Sequence, residues 1–159
     1  MQEPPTNLED EVSGLGMFVG EYPRSLDTKK RVTIPSVWRA MIGNPRSLYV
    51  FPDFNEICLK VLPAREMALK LERLRQKPMG DKAANEAQRQ LGRVSDVLTW
   101  DSQGRIRISD RLLEFAGVST QVVLVGALGS FEVWSPETRP VEEAIDPSGL
   151  QEALRNIGI

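Results

Sequence analysis

One segment of this chain occurs twice, and the repeat restricts the possible fold more than any other feature. LDTKKRVTIP at residues 26–35 and WDSQGRIRIS at residues 100–109 are offset by 74 positions. Counted from Asp27 and Asp101, Arg31 falls on Arg105, and Val32 and Ile34 fall on Ile106 and Ile108. Gly43 and Gly117, which close the helices that follow, coincide as well. Each half then runs the same course of strand, turn, strand, helix and strand pair. GMFVGEY, RVTIP, SVWRAMIG, SLYVF and EICLKVLP make the first copy, with the turn PDFN inside its last pair. SDVLTW, RIRIS, DRLLEFAG and QVVLVGALGSFEVWSP make the second. Two copies of one supersecondary unit imply that neither buries its apolar face alone, so the halves pack into one pseudo-symmetric body. The expected class is α+β, mainly β.

The rest of the chain is tails and a connector. Residues 1–16 combine prolines, glycines and carboxylates with few apolar groups, the composition of a flexible acidic tail. Residues 17–65 hold the first copy, 66–93 a helical connector, 94–137 the second copy, and 138–159 an acidic tail with helical character. In the connector Met67, Leu71 and Leu74 make an apolar stripe at helical spacing, and its charges read as a solvated surface. With 41% apolar residues a core is available, and no apolar run is long enough to span a bilayer. The N-terminus lacks the basic and apolar regions of a signal peptide, so the chain is expected in the cytoplasm.

Several chemistries are disfavoured. Cys58 is the one cysteine and there is no histidine, so an intrachain disulfide and a cysteine cluster are excluded and the usual general base is missing. Cys58 sits in the apolar run EICLKV and reads as a buried structural thiol. GALGSFE carries glycines, but no helix start follows to present amides to a phosphate. Trp38, Trp100 and Trp134 read as core or interface anchors. No catalytic residue, cofactor or metal is expected, and the chain reads as a non-enzyme. Charge is informative by its distribution: residues 1–21 hold five acidic groups and no basic one, and residues 137–159 five acidic and two basic. The intervening segment therefore carries eighteen basic against twelve acidic groups, which suggests a polyanionic partner.

The repeated turn has definite chemistry. Its aspartate can accept hydrogen bonds from the amides that follow, and Gly104 can take positive φ without a Cβ clash. Lys30 occupies the glycine position of the first copy, at a cost of about 1 kcal/mol if that residue is left-handed. Beyond the turn, Arg105 and Arg107 share one face of a strand and Ile106 and Ile108 the other. Two readings are open on spacing alone. The pairs Asp27 with Arg31 and Asp101 with Arg105 brace a hairpin, worth ~0–1 kcal/mol each, or the arginines face the phosphates and base edges of a duplex.

The chain resembles the MraZ family in GMFVGEYPRSLDTKKRVTIPSVWRAMIG, WDSQGRIRISDRLLEFAGV and VVLVGALGSFEVWS, which together span residues 16–137. The resemblance implies two SpoVT-AbrB-like swapped-hairpin barrel repeats forming an intrachain pseudo-dimer. It implies a cytoplasmic, nucleoid-associated transcriptional regulator that assembles into ring-shaped homo-oligomers. It also implies double-stranded DNA as partner, bound at short promoter repeats of the division and cell-wall gene cluster. The DNA-binding residues carried over are Asp27, Lys29, Lys30, Arg31, Asp101 and Arg105, with Arg24 and Arg107 counted beside them. Lys30 and Ser109 depart from the family pattern, which usually has Gly and often Pro at those places. The alternative is a protein-interaction or antitoxin-like module docking an acidic partner.

Overall fold

The structure, a computed structural model, describes residues 17–42, 47–76, 78, 80–141 and 146–159. The acidic segment 1–16 and the helix-ending Gly43 lie outside the described residues. The chain is α+β, with most of its strands in one antiparallel sheet. The first copy supplies β1 (Glu21–Ser25), β2 (Arg31–Thr33), α1 (Ser36–Ile42), β3 (Ser47–Asp53) and β4 (Cys58–Pro63). Two connector helices follow, α2 (Ala64–Arg75) and α3 (Lys82–Val94). The second copy gives β5 (Asp96–Thr99), β6 (Arg105–Arg107), α4 (Asp110–Phe115), β7 (Gln121–Gly126) and β8 (Phe131–Trp134), and α5 (Pro147–Asn156) lies beyond it.

Strand partners are exchanged between the copies. Six strands run in the order β1-β7-β8-β4-β3-β5, and β2 and β6 make a separate two-stranded ribbon. β1 of the first copy pairs with β7 of the second, Ser25 opposite Gln121, and β5 of the second pairs with β3 of the first, Thr99 opposite Ser47. These two pairings are related by the same 74-residue offset that relates the sequences. The ribbon obeys it too, since Val32 faces Ile106 at the centre and Arg31 faces Arg107 as Thr33 faces Arg105.

The alternation read from sequence places the core. Val32, Ile34, Ile106 and Ile108 point inward, while β3 buries Leu48, Val50 and Pro52 on one side. Aromatic rings fill the centre. Trp38 is 1% exposed, with the rings of Phe18, Tyr22 and Phe131 at 5.4, 5.2 and 5.1 Å. Its Nε1 donates to the carbonyl of Val19 at 2.9 Å, which satisfies the polar atom that burial would otherwise leave bare. Trp134 is buried as well, and Trp100 packs partly buried against the core. Burying Trp38-sized side chains stabilises such a chain by about 2–3 kcal/mol each.

One strand is displaced from its expected place. GMFVGEY is not continuous: Phe18 makes an isolated bridge to Leu128, Gly20 turns at φ +94°, and β1 begins only at Glu21. The break fits the sheet, because Gly126 on β7 lies so near Phe18 that a Cβ there would meet its backbone at 2.7 Å. At the other hairpin Asp53 ends β3 and its Oδ1 accepts from the amides of Asn55 and Glu56, so the turn covers residues 54–57 rather than starting at Pro52.

Candidate nucleic-acid interface

The two repeated turns are built alike from the aspartate outward. Asp27 Oδ1 accepts from the amides of Lys29 and Arg31, both at 2.9 Å, and its Oδ2 accepts from Arg31 Nε at 2.6 Å. Asp101 does the same: Oδ1 accepts from the amides of Gln103 at 2.9 Å and Arg105 at 3.0 Å, and Oδ2 from Arg105 Nε at 2.8 Å. Each carboxyl is held below the ordinary carboxylate range, chiefly by the backbone amide of its arginine; desolvation, the next largest effect, opposes this, and the guanidinium and the neighbouring amide add to the lowering. The carboxylates are thus spent inside the turns. Both arginines stay half-buried, and no Nη of Arg31 or Arg105 has a hydrogen-bond partner among the described residues.

The turns are locked to each other as well. Lys30 and Gly104 are both left-handed, at φ +62° and +75°. In that conformation their carbonyls reach the opposite copy, where Ile108 N–H donates to Lys30 O at 3.1 Å and Ile34 N–H to Gly104 O at 2.9 Å. The geometry is fixed by these cross-copy bonds, so Lys30 adopts it despite its Cβ.

The ribbon therefore has one apolar face and one cationic face. Val32 and Ile106 are fully buried, while Arg31, Thr33, Arg105 and Arg107 lie on the opposite side. Lys29 and Arg107 are exposed and Lys30 is half-buried at the turn. The structure brings Asp27, Lys29, Lys30, Arg31, Asp101, Arg105 and Arg107 together in this ribbon and its turns. Arg24 is placed differently. It belongs to β1 in the large sheet, with its guanidinium 5.4 Å from the centroid of the Tyr22 ring and its Nη1 donating to Pro23 O at 2.9 Å.

Sequence reasoning missed Arg39. From α1 its side chain covers Gly104, with Nη1 donating to Gln103 O at 3.2 Å. A Cβ on Gly104 would lie 2.1 Å from that Nη1. The signal was present only in the comparison of the copies: where one half has Arg39 with Gly104, the other has Leu113 with Lys30. An isolated arginine on a short helix gives no such hint.

Known proteins match most of the sequence. Residues 95–138 match the family described as "MraZ protein, putative antitoxin-like". A protein of Leuconostoc mesenteroides named transcriptional regulator MraZ is 35% identical over 141 residues, covering 87% of this chain and 96% of its own length. The chain belongs to the MraZ family. Two further MraZ proteins bearing the same name agree. The one from Clostridium acetobutylicum is 29% identical over 145 residues, 90% of this chain and all of its own, and the one from Lachnoclostridium phytofermentans is 36% identical over 121 residues, 76% and 83%. The first two alignments are too long to leave out either turn, so MraZ relatives match both copies.

Proposed function

We propose that this chain is a transcriptional regulator that binds double-stranded DNA through the cationic face of the β2–β6 ribbon. The observation that carries the reading is the pair of Asp-braced turns, which hold Arg31 and Arg105 by Nε and leave their Nη groups without a hydrogen-bond partner among the described residues, on the same ribbon as Arg107. A guanidinium preset in this way loses little side-chain entropy on meeting a phosphate or a guanine edge, and two-stranded ribbons fit the major groove. Lys29 and Lys30 add positive charge at one turn, Asp27 and Asp101 act as positioning groups, and Arg24 contributes from β1. The names of the MraZ relatives support regulation of transcription.

On this reading the copies, residues 17–65 and 94–137, are SpoVT-AbrB-type swapped-hairpin repeats joined by the 66–93 connector, and the exchange of strand partners supports that assignment. Several copies assemble as a ring, so that weak contacts to short promoter repeats of the division and cell-wall gene cluster add along the duplex. The protein then works in the cytoplasm on the nucleoid, with its acidic tails screening random DNA. No helix among the described residues is long and apolar enough to cross a membrane.

Arg31→Ala and Arg105→Ala in the full chain test the reading by fluorescence anisotropy on its upstream DNA. Each variant should weaken binding, and each lost phosphate contact should lower the slope of log affinity against log salt by about 0.9. Wild-type affinity in both would remove these arginines from the interface. The antitoxin likeness in the matched family's description supports a second reading, docking of an acidic protein partner. A protein complex that survives excess promoter DNA would favour it.

A further inference from the structure

The hairpin that joins β3 to β4 does not close against the helices beside it. Between its tip, the side of α3 and the start of α4 lies an open cleft of about 870 Å³, walled by Phe51, Pro52, Phe54, Leu91 and Val94. That volume suits a small organic molecule, and apolar walls with a few placed charges are what sites for such molecules share.

Two features of the lining point to what it would hold. Phe54 is 66% exposed at the hairpin tip, although its ring is held by Phe115, with centroids 5.0 Å apart and planes at 69°. An anchored ring open to water loses little freedom when a second ring stacks on it. Charge is the other feature, since the lining carries Lys60, Arg93 and Arg111 against Asp53 alone. The Asp53 side chain is 14% exposed, with Oδ1 accepting from the amides of Asn55 and Glu56 and Oδ2 3.6 Å from Lys60 Nζ, so this carboxylate and Lys60 answer each other. Arg111 donates to Val94 O at 3.0 Å and to Asp96 Oδ1 at 3.3 Å. Arg93 is different: it is exposed in the last turn of α3, and its guanidinium has no partner among the described residues.

We propose that this cleft binds a small aromatic anion, an aryl carboxylate, sulfonate or phosphate, with its ring against Phe54 and its acid group on Arg93. One free guanidinium among apolar walls suits a single acid group on a flat body better than the repeated phosphates of a nucleic acid. The inference goes beyond the DNA reading and does not rest on it, because no residue of the cleft belongs to the β2–β6 ribbon or its turns.

The probe is anilinonaphthalene sulfonate, an aryl sulfonate whose fluorescence rises in apolar sites, titrated into the full-length protein beside N-phenylnaphthylamine, which has the same rings and no charge. Phe54→Ala should weaken both about five- to ten-fold, and Arg93→Gln should weaken the sulfonate about three- to five-fold while leaving the neutral amine unchanged. Both positions are exposed, and circular dichroism checks that the variants keep the fold. Three results overturn the proposal: no saturable binding of the sulfonate, an unchanged sulfonate affinity in either variant, or the same response of the two probes to Arg93→Gln. Displacement of the sulfonate by random duplex DNA from the Arg31→Ala/Arg105→Ala variant would give the cleft to nucleic acid and overturn it as well. A sulfonate site that behaves as expected while Arg31→Ala and Arg105→Ala leave DNA affinity unchanged would keep this inference and end the ribbon reading, and the reverse pattern would do the opposite.

Discussion

Gly104→Ala asks how tightly the second turn is determined, and its cost can be worked out in two parts. Gly104 sits at φ +75°, where a Cβ costs about 1 kcal/mol in backbone strain. The new Cβ would also stand 2.1 Å from Arg39 Nη1 and 2.5 Å from its Cδ and Cζ. The obstruction includes the stem of the side chain as well as its tip, so Arg39 must leave, and its hydrogen bond to Gln103 O goes with it, at about 1 kcal/mol. The sum is about 2 kcal/mol, or roughly 4–8 °C in Tm for a chain of this size. Urea unfolding followed by tryptophan fluorescence, with buried Trp38 as reporter, measures it at one fixed protein concentration.

The two parts separate in a double-mutant cycle. In an Arg39→Ala background the steric part is already gone, so Gly104→Ala should cost only the ~1 kcal/mol of strain, leaving a coupling of about 1 kcal/mol. Lys30→Gly is the counterpart in the first copy: relief of about 1 kcal/mol of strain is offset by the ~0.5–1 kcal/mol that glycine loses in backbone entropy, so its stability should barely move. Equal costs for Gly104→Ala with and without Arg39, or a cost near zero in wild type, would refute the account of Arg39 as the group that reserves this position for glycine.

The lowered Asp27 and Asp101 carboxyls contribute stability that is complete above about pH 4 and is lost as the pH falls through their depressed folded-state values. The Asp27→Asn/Asp101→Asn variant should therefore show a flatter acid limb in unfolding against pH, and an acid limb identical to wild type would contradict the turn geometry. Burial, with the Glu132 and Asp53 carboxylates adding to it, pushes the Cys58 thiol up to about 12. At pH 8 its thiolate fraction falls roughly a thousand-fold below that of an ordinary thiol, so iodoacetamide should label the folded protein slowly and the urea-unfolded protein fast. Equal rates would place the thiol in solvent.

The faces of the ribbon were legible because they follow from a local rule: Val32, Ile34, Ile106 and Ile108 alternate with a period of two. The conformation at residue 30 stayed open, since a lysine at the glycine position allows either a different turn or a tolerated strain, and the structure shows the second. Periodicity says which side of a strand is buried and nothing of what lies beside it, so the pairing of β1 with β7 and of β5 with β3 was out of reach. The break at Gly20 was hidden as well, and so was the close approach of the Phe18 backbone to Gly126 of the other copy. Arg39 is the plainest case: its place depends on a Cβ missing 65 positions away, and a charged residue on a seven-residue helix otherwise reads as solvated surface.

Joining the copies in one chain also removes any need for the halves to be equal, and the outward face of the ribbon uses that freedom. Lys29 and Lys30 answer to Gln103 and Gly104, and Thr33 answers to Arg107. Because the strands run antiparallel, Arg107 is set directly opposite Arg31, whereas Arg105 faces the neutral Thr33. Like charges across a strand pair destabilise it by a few tenths of a kcal/mol, and Asp27 relieves this only through the Nε side of Arg31. The cost of crowding cations at one end is therefore borne by the free protein and is recovered when an anion covers that end. On the proposed reading the duplex is that anion, and the Arg31–Arg107 end is where the backbone is gripped while the Arg105–Thr33 end stays lightly held. On that same reading, a ribbon whose halves differ would give the bound duplex a preferred direction, which two identical halves could not do.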